Sequence, residues 1–327
     1  MKTFVRPVTQ ALALTLGLLC AHTAAYAQFN RPPDSFQSVT VTAGGNTQSD
    51  QSTGSSSAPS SVSAAVIGGG AGEPSVSSAF ASTTLGAGSV SGSLGTAFAG
   101  PGSASAHAEA YLGDTLTFST GDYGSRALLY FSVVLQGSSE TFLDASAVPG
   151  GVSGTAGALN TFFMLGIDDH FATWETNKTL SYDGTTLLES YQSGYGPDGR
   201  TYGVFNFVAD IGLNQAVPLD LYMLLTSDLN SQGVSTNGAA YTDENPGIYW
   251  NGISRLTTLD GALLSYTLSS RSGVDYSISA APLLAPEPAS WLLVALGLVP
   301  LGAWHRRQRS RAKATPEDVR LPSCAAC

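Results

Sequence analysis

Ser103-Ala104-Ser105-Ala106-His107-Ala108-Glu109-Ala110-Tyr111-Leu112 runs almost directly into Thr115-Leu116-Thr117-Phe118, and through both pieces side chains alternate at period two. Successive side chains of a strand point to opposite faces, so this stretch predicts a β-strand with small residues on one face. Gly100-Pro101-Gly102 places a turn just before it. Downstream, short apolar or alternating runs recur between Gly, Asp, Asn and Pro clusters. They predict strands at Ala127 to Leu135, Asn160 to Ile167, Thr179 to Tyr182, Thr186 to Tyr191, Tyr202 to Ala209, Val217 to Thr226, Leu263 to Ser269 and Val274 to Ile278. Asp183-Gly184 is a hairpin signal and Pro197-Asp198-Gly199 a turn. The weak periodicity between Leu229 and Leu259 predicts a long loop or small insertion. Many short strands with almost no amphipathic helix indicate an all-β fold, an antiparallel β-sandwich, jelly-roll-like, over residues 102–281.

Upstream the composition changes. From Phe36 to Ala106 the chain is built mainly of Ser, Ala, Gly, Thr and Val, with Asp50 and Glu73 its only charged residues. Such residues offer little side-chain volume to bury, so residues 28–101 read as a low-complexity arm, flexible through Gly44 to Ser61.

Both ends carry transport signals. Lys2 and Arg6 precede an apolar stretch from Ala11 to Cys20, and Ala25-Tyr26-Ala27 offers a small-x-small cleavage site. Residues 1–27 are thus expected to be a signal peptide, with Gln28 first in the exported chain. At the other end Pro286-Glu287-Pro288 stands before an uncharged apolar run, Ala289 to Trp304. As a transmembrane helix 289–304 would reach ~24 Å, slightly short of the ~30 Å hydrocarbon core. A basic cluster follows, with Arg306, Arg307, Arg309, Arg311 and Lys313, and should stay cytoplasmic, leaving 314–327 as a cytoplasmic tail and everything before Pro286 across the membrane.

This ordered combination over residues 282–313 resembles the PEP-CTERM sorting signal of Gram-negative bacteria. The resemblance implies an exosortase-type sorting protease as partner, transient residence in the inner membrane, processing near Pro-Glu-Pro, and delivery to the cell surface or extracellular matrix among exopolysaccharide. The tail beyond Lys313 departs from the usual ending of that signal. Less specifically, Ala110 to Phe118 and Ser272 to Ser277 are similar to recurrent openings and endings of PEP-CTERM protein bodies.

Between Gln28 and Ala285 there are six basic and twenty-one acidic residues, a balance of −15. Phosphate binding requires basic surface, so a nucleic-acid partner is disfavoured. The cysteines, Cys20, Cys324 and Cys327, all lie outside this segment, which therefore has no disulfide or thiol chemistry. Only His107 and His170 remain for metal ligation, too few for a zinc enzyme, and Asp168-Asp169-His170 reads as a solvated turn. Gly194 to Gly199 matches G-x-G-x-x-G literally, but no helix follows, so it reads as a turn. There is no G-x-S-x-G elbow, and nothing singles out a carboxylate pair. The expectation is a non-enzymatic protein with no cofactor or metal, structural or adhesive; an exported glycan hydrolase is the remotest alternative.

Aromatic residues beside amides and carboxylates can bind sugars, rings stacking on C–H faces while Asn and Asp bond hydroxyls. Tyr241, Asp243, Asn245, Tyr249 and Trp250 form such a cluster, the alternative reading being a lectin-like carbohydrate-binding module; Tyr191, Tyr195 and Tyr202 form a weaker one.

Overall fold

The computed structural model describes residues 35–281, apart from 55–59, 70–75, 122–124, 145–154, 183–186, 194–201 and 232–236. The expected signal peptide, the Pro-Glu-Pro motif, the apolar run, the basic cluster, the tail, and the turns expected at Asp183-Gly184 and Gly194 to Gly199 lie outside the described residues. Among the described residues no helix is long and apolar enough to cross a membrane.

The described residues are all-β, with two antiparallel sheets packed together. In order the strands are β1 (Ser35–Ala43), β2 (Asn46–Gly54), β3 (Ser60–Gly69), β4 (Val76–Gly86), β5 (Ser89–Ala99), β6 (Gly102–Ser119), β7 (Arg126–Asp144), β8 (Thr155–Ile167), β9 (His170–Tyr182), β10 (Leu187–Ser193), β11 (Gly203–Gly212), β12 (Ala216–Ser231), β13 (Asn237–Thr257) and β14 (Thr267–Ser270). One sheet runs β10-β9-β8-β12-β6-β1-β2, with β14 also on β6; the other runs β11-β7-β13-β5-β4-β3. The alternation that predicted β6 is realised: Ala104, Ala106, Ala108, Ala110, Leu112, Leu116 and Phe118 are buried in the core.

Three expectations are corrected. The stretch 28–101 is not a flexible arm from Phe36 onward: β1 to β5 occupy it, and β3, β4 and β5 are half of the six-stranded sheet. Gly44 and Gly45, expected in a flexible stretch, make the tight turn between β1 and β2 with φ of 54° and 84°. Small side chains did not preclude order, because ladder hydrogen bonds come from the backbone and need no side-chain volume. Alternating Val39, Val41, Ala43, Val62, Ala64, Ala79, Ala81, Leu85, Val90, Leu94 and Phe98 supplies the buried face.

The predicted loop between Leu229 and Leu259 is instead β13, paired to both β5 and β7. Its register slips between Asp243 and Gly247, between Trp250 and Ile253, and between Ile253 and Arg255. Each slip inserts unpaired residues and interrupts the ladder, which hides a strand from a period-two reading. Conversely, the strand predicted for Leu263 to Ser269 shrinks to Thr267–Ser270, and Val274 to Ile278 is not a strand.

The interior has an aromatic spine. Trp174 of β9 meets Phe205 and Phe207 of β11 edge-on at 5.1 and 5.9 Å; Phe207 stacks on Phe131 of β7, and Phe131 on Trp250 of β13 at 5.0 Å. Several polar groups inside are paired with one another. Thr96 and Ser227 share a 2.5 Å hydrogen bond between the sheets, and Gln37 donates to Ser60 while accepting from Thr83. Such pairing offsets the penalty of burying hydroxyl and amide groups.

Candidate functional site

The five residues expected to form one sugar-binding loop are instead spread along β13. Trp250 is fully buried, its indole nitrogen donating to the Tyr276 carbonyl at 2.7 Å and its ring edge-on to Tyr276. It is a core residue and cannot stack on a ligand, which corrects its assignment to the site. Ile248 and Trp250 point inward, which turns Tyr249 to the outer face. There Tyr249 is half-buried, and burial pushes its phenol up despite a hydrogen bond with Ser91. Asp243 and Asn245 lie in β13 beside the register slip, and their side chains are outside the described residues. Tyr241 is on the outer face and 41% exposed. Of the weaker trio, Tyr202 packs against the core, Tyr195 lies outside the described residues, and so does the side chain of Tyr191.

Asp168 and Asp169 form the turn between β8 and β9, with Asp168 at φ 52° and its amide on the Pro218 carbonyl. Among the described residues no group of three or more His, Cys, Asp or Glu could hold a metal ion.

On the outer face of the six-stranded sheet Tyr241 has a partner the sequence reading missed. The register runs Ala65–Phe80–Gly95–Tyr241 across β3, β4, β5 and β13. Phe80 is 46% exposed and its ring lies over Gly95, where a Cβ would come within 2.3 Å of it. Glycine at 95 thus leaves the space that the Phe80 ring occupies, on the strand between Phe80 and Tyr241. The neighbouring row on β4 and β5 is hydroxyl: Ser82 and Ser93 are hydrogen-bonded at 2.8 Å.

The outer face of the eight-stranded sheet carries a different chemistry. His107, Glu109 and Tyr111 of β6 project on the same side, the face opposite the alanines. Register sets Tyr111 opposite Tyr222 and Gly113 opposite Asp220 on β12. The Tyr111 hydroxyl donates to Asp220 at 2.6 Å and the Tyr222 hydroxyl to Glu109 at 2.8 Å, while the His107 ring stands 3.6 Å from Glu109. Burial pushes the Glu109 carboxyl up, but hydrogen bonds from His107 and Tyr222 and the His107 charge outweigh it and hold the group below its ordinary range. The Tyr222 phenol is pushed far up, by burial first and then by Glu109. These side chains satisfy one another, and Phe36 stacks on Tyr111 at 5.7 Å. The alternation 107, 109, 111 was visible in the sequence; the partners on β12 were not, being over a hundred residues away.

The segment after β14 closes one end of the sandwich. Asp114, buried on β6, accepts from the Ser272 hydroxyl and, at 3.1 Å, from the Ser272 amide. Ala280 donates to the Trp250 carbonyl at 2.7 Å and Trp250 to the Gly88 carbonyl at 2.9 Å. Gly88 has φ +73°, and a Cβ there would press on Ala280, Tyr276 and Trp250 at 3.3 to 3.4 Å. A shallow cleft of about 360 Å³ remains beside Gly88, Val274, Asp275 and Ile278.

No family model, curated protein or solved structure matches this chain.

Proposed function

We propose that this is a non-enzymatic exported protein of the cell surface or extracellular matrix, sorted through a C-terminal PEP-CTERM signal and structural or adhesive among exopolysaccharide. The observation that carries this is the ordered succession of Pro286-Glu287-Pro288, the uncharged run to Trp304 and the basic cluster to Lys313, matched by an export signal at the N-terminus. The fold supports it. Both sheets are stitched together by the last described segment, through Ser272 on Asp114 of β6 and Tyr276 and Ala280 on Trp250 of β13. Strands β5, β6, β7 and β8, and again β11, β12 and β13, step back and forth between the sheets, which supports a jelly-roll-like arrangement.

A lectin-like role is the second reading, favoured by the exposed rings of Tyr241 and Phe80 on a hydroxyl-lined sheet.

Intact mass and fractionation of the protein from cells with and without the sorting protease test the main reading. Mature material should begin at Gln28 within a residue or two and, with the protease present, lack the chain beyond the Pro-Glu-Pro region. Without the protease, the C-terminal segment should remain and the protein should stay in the inner membrane. Secreted material that retains Met1, or a mass indifferent to the protease, would refute it.

A further inference from the structure

We propose that the outer face of β3, β4, β5 and β13, centred on Phe80 and Tyr241, is a binding platform for an uncharged polysaccharide. The inference deepens the adhesive reading above and rests on it. Strands β3, β4 and β5 contain no Asp, Glu, Lys or Arg in their full lengths. Across β3, β4 and β5 a charged polymer would therefore leave its groups desolvated against strands with nothing to pair them, at a cost that an uncharged one avoids. At the far side of Tyr241 the register positions are Glu140, and two residues on, Asp243, which further disfavours polyanions.

The face offers what a neutral sugar chain requires. Phe80 and Tyr241 flank Gly95 from opposite sides, two strand spacings or ~9.5 Å apart at the backbone, a separation comparable to the length of a disaccharide unit. Both rings are near half exposed, at 46% and 41%. Gly95 itself leaves the room that the Phe80 ring occupies beside it, and the exposed part of that ring can meet the C–H face of a pyranose. Ser78 and Ser82 on β4 and Ser91 and Ser93 on β5 alternate outward around the pair and supply hydroxyl donors and acceptors. The pleated strands are ordered, so binding does not require a loop to be fixed.

The test uses the full-length chain in a detergent without a sugar headgroup, with four immobilised polymers: amylose and hydroxyethyl cellulose as neutral probes, alginate and chitosan as charged ones. Wild type should retain at least one neutral polymer, with affinity unchanged between low and high salt. Tyr241→Ala and Phe80→Ala should each weaken it about tenfold, the double variant should abolish it, and Tyr241→Phe should restore it, all with unchanged melting temperatures. If the double variant still binds, the adhesive reading stands and this face is overturned. Binding to none of the four polymers would overturn both. Salt-sensitive retention on alginate or chitosan alone would leave an adhesive protein but refute the uncharged ligand.

Discussion

Trp250→Ala is expected to cost the fold ~3 to 5 kcal/mol, the loss typical of removing a fully buried aromatic ring. The ring is stacked on Phe131 at 5.0 Å, edge-on to Tyr276, and hydrogen-bonded to the Tyr276 carbonyl, so its removal opens a cavity and orphans that carbonyl together. For a domain of this size such a loss lowers the melting temperature by roughly 6 to 20 °C. Trp250→Phe should retain most of the packing and lose mainly the hydrogen bond, about 1 kcal/mol. Thermal melts of the three proteins check both figures. A Trp250→Ala protein that melts like wild type would place the ring outside the core and return it to the surface.

Removal of Gln28 to Pro101 should abolish folding of the remainder. The deleted strands contribute half of the six-stranded sheet and the β1-β2 edge of the other. They also hold eleven buried apolar side chains, of which Leu85, Val90, Leu94 and Phe98 are the larger. At ~1.5 to 3 kcal/mol each, those four alone rival the ~5 to 15 kcal/mol net stability of a domain. The cut also bares the β5 edge of β13 and the inner face of β6, where Ala104, Ala106, Ala108 and Ala110 are packed. A fragment from Gly102 to Ala281 should give a disordered circular dichroism spectrum and no cooperative melt. A β-rich fragment with a sharp transition would show that residues 102–281 are self-sufficient.

What the sequence disclosed and what it hid follow from one physical distinction. Period-two alternation reports which face a strand buries, so β6, β8, β11 and β12 were legible, and so was the all-β class. Order in β1 to β5 was overlooked, because the Ser, Ala and Gly that dominate these strands dilute the alternation of Val39, Val41 and Ala43 or of Val90 and Leu94, while the backbone ladders that hold those strands leave no signal at all. β13 was hidden by its bulges. The candidate site divides along the same line: Tyr241 could be found as an aromatic near polar residues, but Phe80 lies over 150 residues away and meets it only through the register of β4, β5 and β13. Trp250 was misplaced because it was read as part of a loop: inside β13 it shares the inward face of Ala240, Thr242 and Ile248, opposite to Tyr241 and Tyr249.

The central claim is that the low-complexity stretch and the alternating stretch form one two-sheet body from Ser35 to Ala281. Amide hydrogen exchange on the full-length protein tests it most directly, since protection reports the free energy of opening each strand. Amides of Ala79 to Thr83 in β4 and Val90 to Phe98 in β5 should exchange as slowly as those of Ala106 to Leu112 in β6 and Leu219 to Leu225 in β12. Rapid exchange throughout β1 to β5 beside a protected β6 and β12 would contradict it.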